Sequence, residues 1–229
     1  MNDGRLCVLS GGMDSTTLAY LYRQEIGDRG RLLCVSFNYG QRHAVELGYA
    51  QRTADRLGAD WKLVDLDALN PHLRGSALTD PDVPVPEGHY AEETMRATVV
   101  PNRNAILLSV ATGIAVAEGI SVVGTAVHAG DHPIYPDCRP SFIRALCEAM
   151  ILGTESFAPE GFRVEAPFIG MTKTDIAMLG DQLGVVWSET WSCYQGRGLH
   201  CGRCGTCVER QEAFALAKVE DPTVYERAA

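Results

Sequence analysis

The chain has 229 residues, of which 46% are hydrophobic and 21% are charged. Both fractions lie near globular averages, which excludes a fibrous or disordered chain and fits one domain or one core with a small appendage. The 20 basic and 29 acidic residues give a net charge of −9. A broad nucleic-acid-binding surface needs the opposite charge, so we expect no nucleic-acid partner.

The sequence also argues against a membrane protein. It contains no apolar run of about 18 residues, the length that a spanning helix needs. Residues 1–5 are polar and lack a signal-peptide pattern. We therefore expect a cytoplasmic location, where thiols stay reduced and clustered cysteines are better interpreted as metal ligands than as disulfides.

Strand and helix patterns alternate along the chain. Short apolar runs predict strands at 6–9, 31–37, 61–66 and 121–127, and a strand or extended segment at 162–168. Apolar positions at helical spacing predict helices at 14–22, 44–57, 104–118, 140–152, 172–183 and 206–219. This order predicts an α/β fold with a doubly wound, Rossmann-like, mostly parallel five-stranded sheet and helices on both faces.

Residues 70–101 interrupt this order, because they hold five prolines and little periodicity. A loop of this length is either an ordered surface excursion or a lid that covers a substrate. We predict one α/β domain over 1–190, with 70–101 as its insertion, and a small cysteine-rich segment with a last helix over 191–229.

A glycine-rich turn, Ser-Gly-Gly-Met-Asp-Ser at 10–15, joins the first strand to the first helix. Glycines let the backbone approach a ligand closely, and free amides at a helix N-terminus favour an anion. Ser10 and Ser15 add hydroxyl donors, and Asp14 is placed to cap the helix. The turn lacks both the Walker A and the dinucleotide-binding glycine patterns. It predicts a phosphate-binding loop, and the alternative is a plain strand-to-helix connection.

Four of the eight cysteines, Cys193, Cys201, Cys204 and Cys207, lie close together with the spacing C-x7-C-x2-C-x2-C. Four thiolates suit a tetrahedral Zn²⁺ ion and leave no position for water, so the predicted site is structural. An iron–sulfur cluster, which also takes four cysteines, is the main alternative.

The turn at 10–15 resembles the signature of the PP-loop ATP pyrophosphatases. Five further motifs occur in order, namely YGQRH at 39–43, VPNRN at 100–104, YPDCR at 135–139, KTDI at 173–176 and TWSCY at 190–194. Together with the closing cysteines they resemble the QueC family over 6–214. One stretch departs from the pattern, since many relatives have DYSGYPDCR where this chain has DHPIYPDCR at 131–139.

The resemblance implies a carbon–nitrogen ligase of queuosine biosynthesis. Such an enzyme uses ATP with Mg²⁺ to convert 7-carboxy-7-deazaguanine and ammonia into the nitrile 7-cyano-7-deazaguanine, called preQ0. Adenylated carboxylate and amide groups are the intermediates. The resemblance also implies a homodimer with one structural Zn²⁺ per subunit and an ATP-binding role for 1–190.

The resemblance suggests candidate site residues as well. The catalytic candidates are Asp14, Ser15 and Lys173. The candidates for nucleotide binding are Leu9, Ser10, Gly11, Gly12, Met13, Asp14, Ser15, Thr16, Thr17, Leu18 and Ala19. The candidates for contact with the substrate base are Arg103, Asp131, Tyr135 and Asp137. The alternatives are a solvated surface lysine for Lys173 and a structural ion pair for Arg103.

Two other functions stay open from the sequence. One is a different PP-loop enzyme, such as one that thiolates tRNA or amidates another substrate, although thiolation of tRNA needs a basic surface. The other is a QueC-like, zinc-stabilised module that binds or modifies a partner protein. Loss of Asp14 or Ser15 would favour this module, and both residues are present.

Overall fold

The computed structural model describes residues 4–226, without the side chain of Glu92. Its five strands are β1 (Arg5–Val8), β2 (Leu32–Asn38), β3 (Asp60–Asp65), β4 (Val122–Gly124) and β5 (Arg163–Glu165). Its seven α-helices in this range are α1 (Met13–Ile26), α2 (Glu46–Arg56), α3 (Glu92–Met95), α4 (Arg103–Ala117), α5 (Pro140–Gly153), α6 (Lys173–Gln182) and α7 (Gly205–Ala217). All of the predicted elements are confirmed, and the one-turn helix α3 was not predicted.

The strands form one sheet in the order β3-β2-β1-β4-β5, and every pairing is parallel. The chain builds outward from β1 through β2 to β3, then crosses back to add β4 and β5 on the other side. The predicted doubly wound fold is therefore confirmed. The strand order reverses between β1 and β4, and ligands in such sheets bind outside the carboxyl ends of the strands at this point.

Helices cover both faces of the sheet, as the continuous apolar strands predict. On one face Leu6 and Leu33 belong to a buried cluster with residues of α4 and α5. On the other face Cys7 and Cys34 are buried against residues of α1 and α2. Strands β4 and β5 are shorter than predicted. After β4 the chain leaves the sheet, and Val127 already lines a cavity.

Residues 70–101 form an ordered excursion that packs against the cysteine-rich segment. Glu87 forms an antiparallel bridge with Cys204, and the amide of Gly88 donates to the carbonyl of Arg203 at 2.8 Å. Arg42 holds the excursion from the other side, because its Nη2 donates to the carbonyl of Asp80 at 2.8 Å. A movement of this excursion as a lid and the domain division at residue 190 stay predictions.

None of the helices within 4–226 has both the length and the apolar character that crossing a bilayer requires.

Candidate active site and metal centre

A cavity of about 210 Å³ lies at the carboxyl ends of β1, β2 and β4, where the strand order reverses. One end of the cavity carries charged and hydroxyl side chains. These are Ser10, Asp14, Ser15, His128, Asp131, Lys173 and Glu209, and we call this the charged end. The other end, which we call the aromatic end, is lined by Phe37, Tyr39, Tyr90, Tyr135 and Tyr194 around Arg103.

The glycine-rich turn forms a loop braced by its two serines. The Ser15 hydroxyl accepts from the amide of Ser10 at 3.1 Å and lies 3.0 Å from the Ser10 hydroxyl. Gly11 has a φ of +89°, and a Cβ there would lie 2.4 Å from the carbonyl oxygen of Glu46. Only glycine therefore lets α2 pack this close to the loop. Helix α1 begins without a side-chain cap, which leaves its first amides available to an anion.

Lys173, the first residue of α6, extends into the charged end. Its Nζ lies 2.6 Å from Asp14 Oδ2, 3.4 Å from Glu209 Oε2 and 3.5 Å from His128 Nε2. Burial disfavours the ammonium form, but Asp14 and the other nearby carboxylates outweigh burial and raise the pKa of Lys173. Lys173 is therefore a largely buried, protonated cation rather than a solvated surface lysine.

The three carboxylates of the charged end outnumber its one lysine. Asp14 uses Oδ2 for Lys173, and its buried Oδ1 has no partner among the described residues. Burial raises the pKa of Glu209, and Lys173 partly offsets this effect. An excess of carboxylate with one unpartnered oxygen fits a divalent cation that would arrive together with a phosphate.

Arg103 is the cation of the aromatic end. None of the ion pairs among residues 4–226 includes Arg103, and its Nη1 donates to the Tyr39 hydroxyl at 3.5 Å. Burial disfavours its charge, yet the neighbouring tyrosines, led by Tyr39 and Tyr194, hold the pKa of Arg103 well above its usual value. The alternative of a structural ion pair therefore has no acidic partner here. The guanidinium is available to a planar anion.

The pair His43 and Glu46 lies in the wall of the same cavity. His43 Nε2 is 3.6 Å from Glu46 Oε1, which also accepts from Gln41 Nε2 at 3.3 Å. Burial lowers the pKa of His43 to about 3 and raises the pKa of Glu46 to about 8. At neutral pH this pair is therefore largely uncharged, and the cavity wall is polar without an ion pair.

The sulfur atoms of Cys193, Cys201, Cys204 and Cys207 all lie within 4.8 Å of one another and are buried. A tetrahedral ion with metal–sulfur distances of about 2.3 Å needs sulfur separations of about 3.8 Å, which this arrangement approaches. The amides of Cys201 and Cys204 donate to the sulfurs of Cys193 and Cys201 at 3.3 and 3.2 Å. Hydrogen bonds from Cys193 and Cys207 also lower the pKa of the Cys204 thiol. The predicted four-cysteine metal site is thus confirmed as a cluster.

Comparison with known proteins shows the family to which this chain belongs. The family described as "Queuosine biosynthesis protein QueC" matches residues 4–218. The chain belongs to the QueC family. It is 52% identical over 220 residues to a 7-cyano-7-deazaguanine synthase of Ruegeria sp. (strain TM1040), covering 96% of this chain and 92% of that protein. It is also 52% identical to a 7-cyano-7-deazaguanine synthase of Paracoccus denitrificans (strain Pd 1222), covering 97% and 93%.

Solved structures resemble this QueC protein in fold alone. The NMN synthetase from Francisella tularensis matches with a TM-score of 0.52 and 13% identity over 96% of this chain and 79% of that chain. The U34-tRNA thiolase NcsA from Methanococcus maripaludis with its [4Fe-4S] cluster matches with a TM-score of 0.50 and 14% identity. That match covers 95% of this chain and 66% of the thiolase.

Within this QueC protein, only part of the predicted nucleotide-binding stretch lines the cavity. Leu9, Ser10, Asp14 and Ser15 do so. Met13 instead packs with Trp187 and Phe214, and Leu18 and Ala19 lie in the core beneath the sheet. The side chains from Thr16 to Ala19 lie outside the cavity, because α1 turns them toward its packed faces.

Of the residues predicted to contact the base, some line the cavity and one does not. Asp131 lines the cavity, but its carboxylate already accepts from the amide of His128 and the hydroxyl of Tyr90, both at 3.1 Å. Tyr135 presents its ring to the cavity and shares a hydrogen bond of 2.7 Å with Thr98.

Asp137 lies elsewhere than we predicted, outside the residues that line the cavity. Its Oδ2 accepts from the amide of Asn104 at 2.9 Å, in the first turn of α4. Asn102, the residue before α4, has a left-handed backbone conformation and offers no side-chain cap. Asp137 therefore satisfies an amide of the first turn that would otherwise lack a partner. The predicted contact of Asp137 with a base therefore has no support in this geometry.

Sequence reasoning missed Glu209, His128 and Tyr90 as residues of the site. Glu209 follows the last metal-cluster cysteine by two positions, and Tyr90 lies in the excursion. Neither belongs to a motif that signals catalysis. The one available signal was the position of His128 just after a predicted strand, at the edge where ligands bind in such sheets.

Proposed function

We propose that this QueC protein converts 7-carboxy-7-deazaguanine and ammonia into 7-cyano-7-deazaguanine at the expense of ATP. The observation that carries the proposal is a single cavity with a phosphate-binding loop and Lys173 at one end and the unpaired Arg103 among tyrosines at the other. Such a cavity offers its charged end to the phosphates of a nucleotide and its aromatic end to a planar carboxylate. The names of the relatives, matched over nearly their full length, support the same reaction.

The chemistry proceeds in two activations. A carboxylate oxygen attacks the α-phosphorus of ATP, and pyrophosphate leaves. Ammonia then attacks the acyl carbon of the adenylate, AMP leaves with that oxygen, and an amide remains after loss of a proton. A second ATP adenylates the amide oxygen, with release of pyrophosphate and one amide proton, and expulsion of AMP with loss of the second amide proton forms the nitrile. Adenylation is needed because a carboxylate or amide oxygen is a poor leaving group at neutral pH.

The charged end would carry out the transfer from ATP. The amides at the start of α1 and the hydroxyls of Ser10 and Ser15 hold the phosphates. Lys173 stabilises the negative charge that grows on the leaving pyrophosphate. The unpartnered Oδ1 of Asp14 would be a ligand for Mg²⁺, which when bound would neutralise phosphate charge.

The aromatic end would bind the deazaguanine. Arg103 pairs with its carboxylate, and the ring of Tyr135 packs on the flat base. The tyrosines that surround Arg103 keep water away from this ion pair, which strengthens it.

We further propose that the cysteine cluster holds one structural Zn²⁺ per subunit, that the protein is a homodimer and that it works in the cytoplasm. Four sulfur ligands complete a tetrahedron, so this ion takes no part in the reaction. Metal analysis together with the visible spectrum tests the ion, because an iron–sulfur cluster absorbs visible light and Zn²⁺ does not.

The test of the function is an assay with separate arms. Purified protein is incubated with 7-carboxy-7-deazaguanine, ammonium and Mg-ATP, and the products are followed by mass spectrometry. We expect nitrile and AMP, and neither in the arms without ammonium or ATP. A parallel arm offers unmodified tRNA and a sulfur donor in place of the deazaguanine. Thiolated tRNA together with no nitrile would favour the other PP-loop activity and overturn the proposal.

A further inference from the structure

Glu209 is a largely buried acid in the cavity that no motif assigns to the reaction. Its Oε2 lies 3.4 Å from Lys173 Nζ, and only 13% of its side chain is exposed. Lys173 thus lies between two carboxylates, with Asp14 closer at 2.6 Å. No other carboxylate among residues 4–226 reaches ion-pair distance of Lys173.

The position of Glu209 is fixed by helix α7, which begins at the metal centre. Cys207, in the first turn of α7, is a member of the cysteine cluster. Arg210, the residue after Glu209, is fully buried, and its guanidinium donates to Thr190 Oγ1 at 2.7 Å and pairs with Asp221 at 3.1 Å. The backbone on both sides of Glu209 is therefore held in place.

We infer that Glu209 is a positioning residue for Lys173 and thereby connects the metal centre to the transfer of the adenylyl group. This inference rests on the proposed function. In the absence of nucleotide, Asp14 is the nearer partner of Lys173. A Mg²⁺ ion held by the Asp14 carboxylate would weaken the attraction of Asp14 for the lysine. Glu209 Oε2, 3.4 Å from the ammonium, then remains as a partner and holds it at the position where pyrophosphate departs.

This role predicts a particular kinetic signature. The loop amides and hydroxyls bind ATP in the ground state, and they do not depend on Glu209. The alignment of Lys173 matters most when charge develops on the leaving group, so its loss lowers kcat more than it raises KM. A misplaced catalytic group costs up to about 100-fold in rate.

The experiment compares Glu209→Gln with Glu212→Gln, a change of the same kind one turn further along α7. Glu212 is exposed and pairs only with the exposed His89 among the described residues. We expect Glu209→Gln to lower kcat for nitrile formation roughly 10- to 100-fold and to change the KM for Mg-ATP less than about 3-fold. Glu209→Asp should recover part of the loss, and Glu212→Gln should match the parent protein. Metal content and Tm should be the same in all variants.

A second measurement does not depend on the substrate. In protein labelled with ¹⁵N-lysine, the shielded ammonium of Lys173, assigned with Lys173→Met, should give a signal that changes in Glu209→Gln and not in Glu212→Gln. Three outcomes would overturn the inference, namely a kcat within 2-fold of the parent protein, an unchanged ammonium signal, or a loss of activity that follows loss of metal or Tm. If the parent protein forms no nitrile but the ammonium signal responds, the proposed function fails and the positioning of Lys173 stands.

Discussion

The cysteine cluster is buried, whereas the charged end of the cavity is partly exposed, and the two groups of side chains differ in how fully their ligand atoms are used. Four sulfurs within 4.8 Å form a complete set of ligands, and no position is left for a substrate. The charged end surrounds one lysine with carboxylates and leaves Asp14 Oδ1 without a partner among the described residues. The cysteine cluster, with all four ligands in place, stabilises the fold, whereas the charged end keeps a free oxygen that can bind a ligand. Helix α7 joins the two, because it carries both Cys207 and Glu209.

The largest effect is expected when one ligand of the cysteine cluster is removed. We expect Cys204→Ser to lose its metal and most of its folded structure, because metal binding contributes on the order of 10 kcal/mol to folding in small zinc domains. Metal content per chain and thermal unfolding measure the loss. The control is Cys147→Ser, a half-buried cysteine outside the cluster, which should keep both values. A folded Cys204→Ser protein that retains one metal ion per chain would show that the cluster is not the structural centre.

Removing a carboxylate of the charged end should have the reverse effect, a loss of activity with the fold intact. Asp14→Asn is expected to reduce nitrile formation about 1,000-fold, a loss of the size seen when a preorganised electrostatic group is removed. The fold should survive, because Asp14 borders a cavity. The rate is followed by mass spectrometry beside Tm and metal content, with the exposed Asp181→Asn as control. Retained activity in Asp14→Asn would remove Asp14 from the reaction.

A substitution at the aromatic end should weaken binding of the base and leave binding of the nucleotide unchanged. Arg103→Gln should lower kcat/KM for 7-carboxy-7-deazaguanine about 10- to 100-fold, since a hydrogen bond to a charged group is worth about 1.5–3 kcal/mol. The KM for Mg-ATP should stay near that of the parent protein. Arg144→Gln, an exposed arginine on α5, is the control. If Arg103→Gln raised the KM for Mg-ATP and left kcat/KM for 7-carboxy-7-deazaguanine unchanged, Arg103 would bind the nucleotide and not the base.

The smallest expected effect concerns the pH dependence of stability. Burial raises the pKa of Glu46 to about 8, so the folded protein keeps this proton at pH values where the unfolded chain has lost it. The contribution of Glu46 to stability is therefore lost as the pH rises from about 4.5, its ordinary range, to about 8. Glu46→Gln cannot ionise, so its Tm should fall less than that of the parent protein between pH 5 and 8, by roughly 5–10 °C. Parallel Tm curves for the two proteins would contradict the shift.

Much of the fold was predictable because its signals are local. The strand at Arg5–Val8 and the turn at 10–15 are contiguous, and each apolar run predicts burial on its own. The spacing of Cys201, Cys204 and Cys207 similarly predicts a metal cluster without knowledge of distant contacts. The exact end of β4 was not predictable, because the chain leaves the sheet there to line the cavity.

The cavity was predictable only in part, because its aromatic end is assembled from segments far apart in the chain. Tyr90 comes from the excursion and Tyr194 follows Cys193 of the cysteine cluster, and nothing in their local sequence encodes their place in the wall of the cavity. Asp137 shows the opposite case, since a residue inside a recognised motif caps a helix and lies outside the residues that line the cavity. Glu209 was missed because its signal is a single ion pair with a residue on another helix.

The most direct test of the central claim follows the oxygen atoms of the substrate. 7-Carboxy-7-deazaguanine labelled with ¹⁸O at both carboxylate oxygens is converted with ammonium and Mg-ATP, and AMP is analysed by mass spectrometry. If the charged end adenylates first the carboxylate and then the amide, each nitrile is accompanied by two AMP molecules, each with one ¹⁸O atom. Unlabelled AMP, with the ¹⁸O released into water or phosphate, would contradict the account.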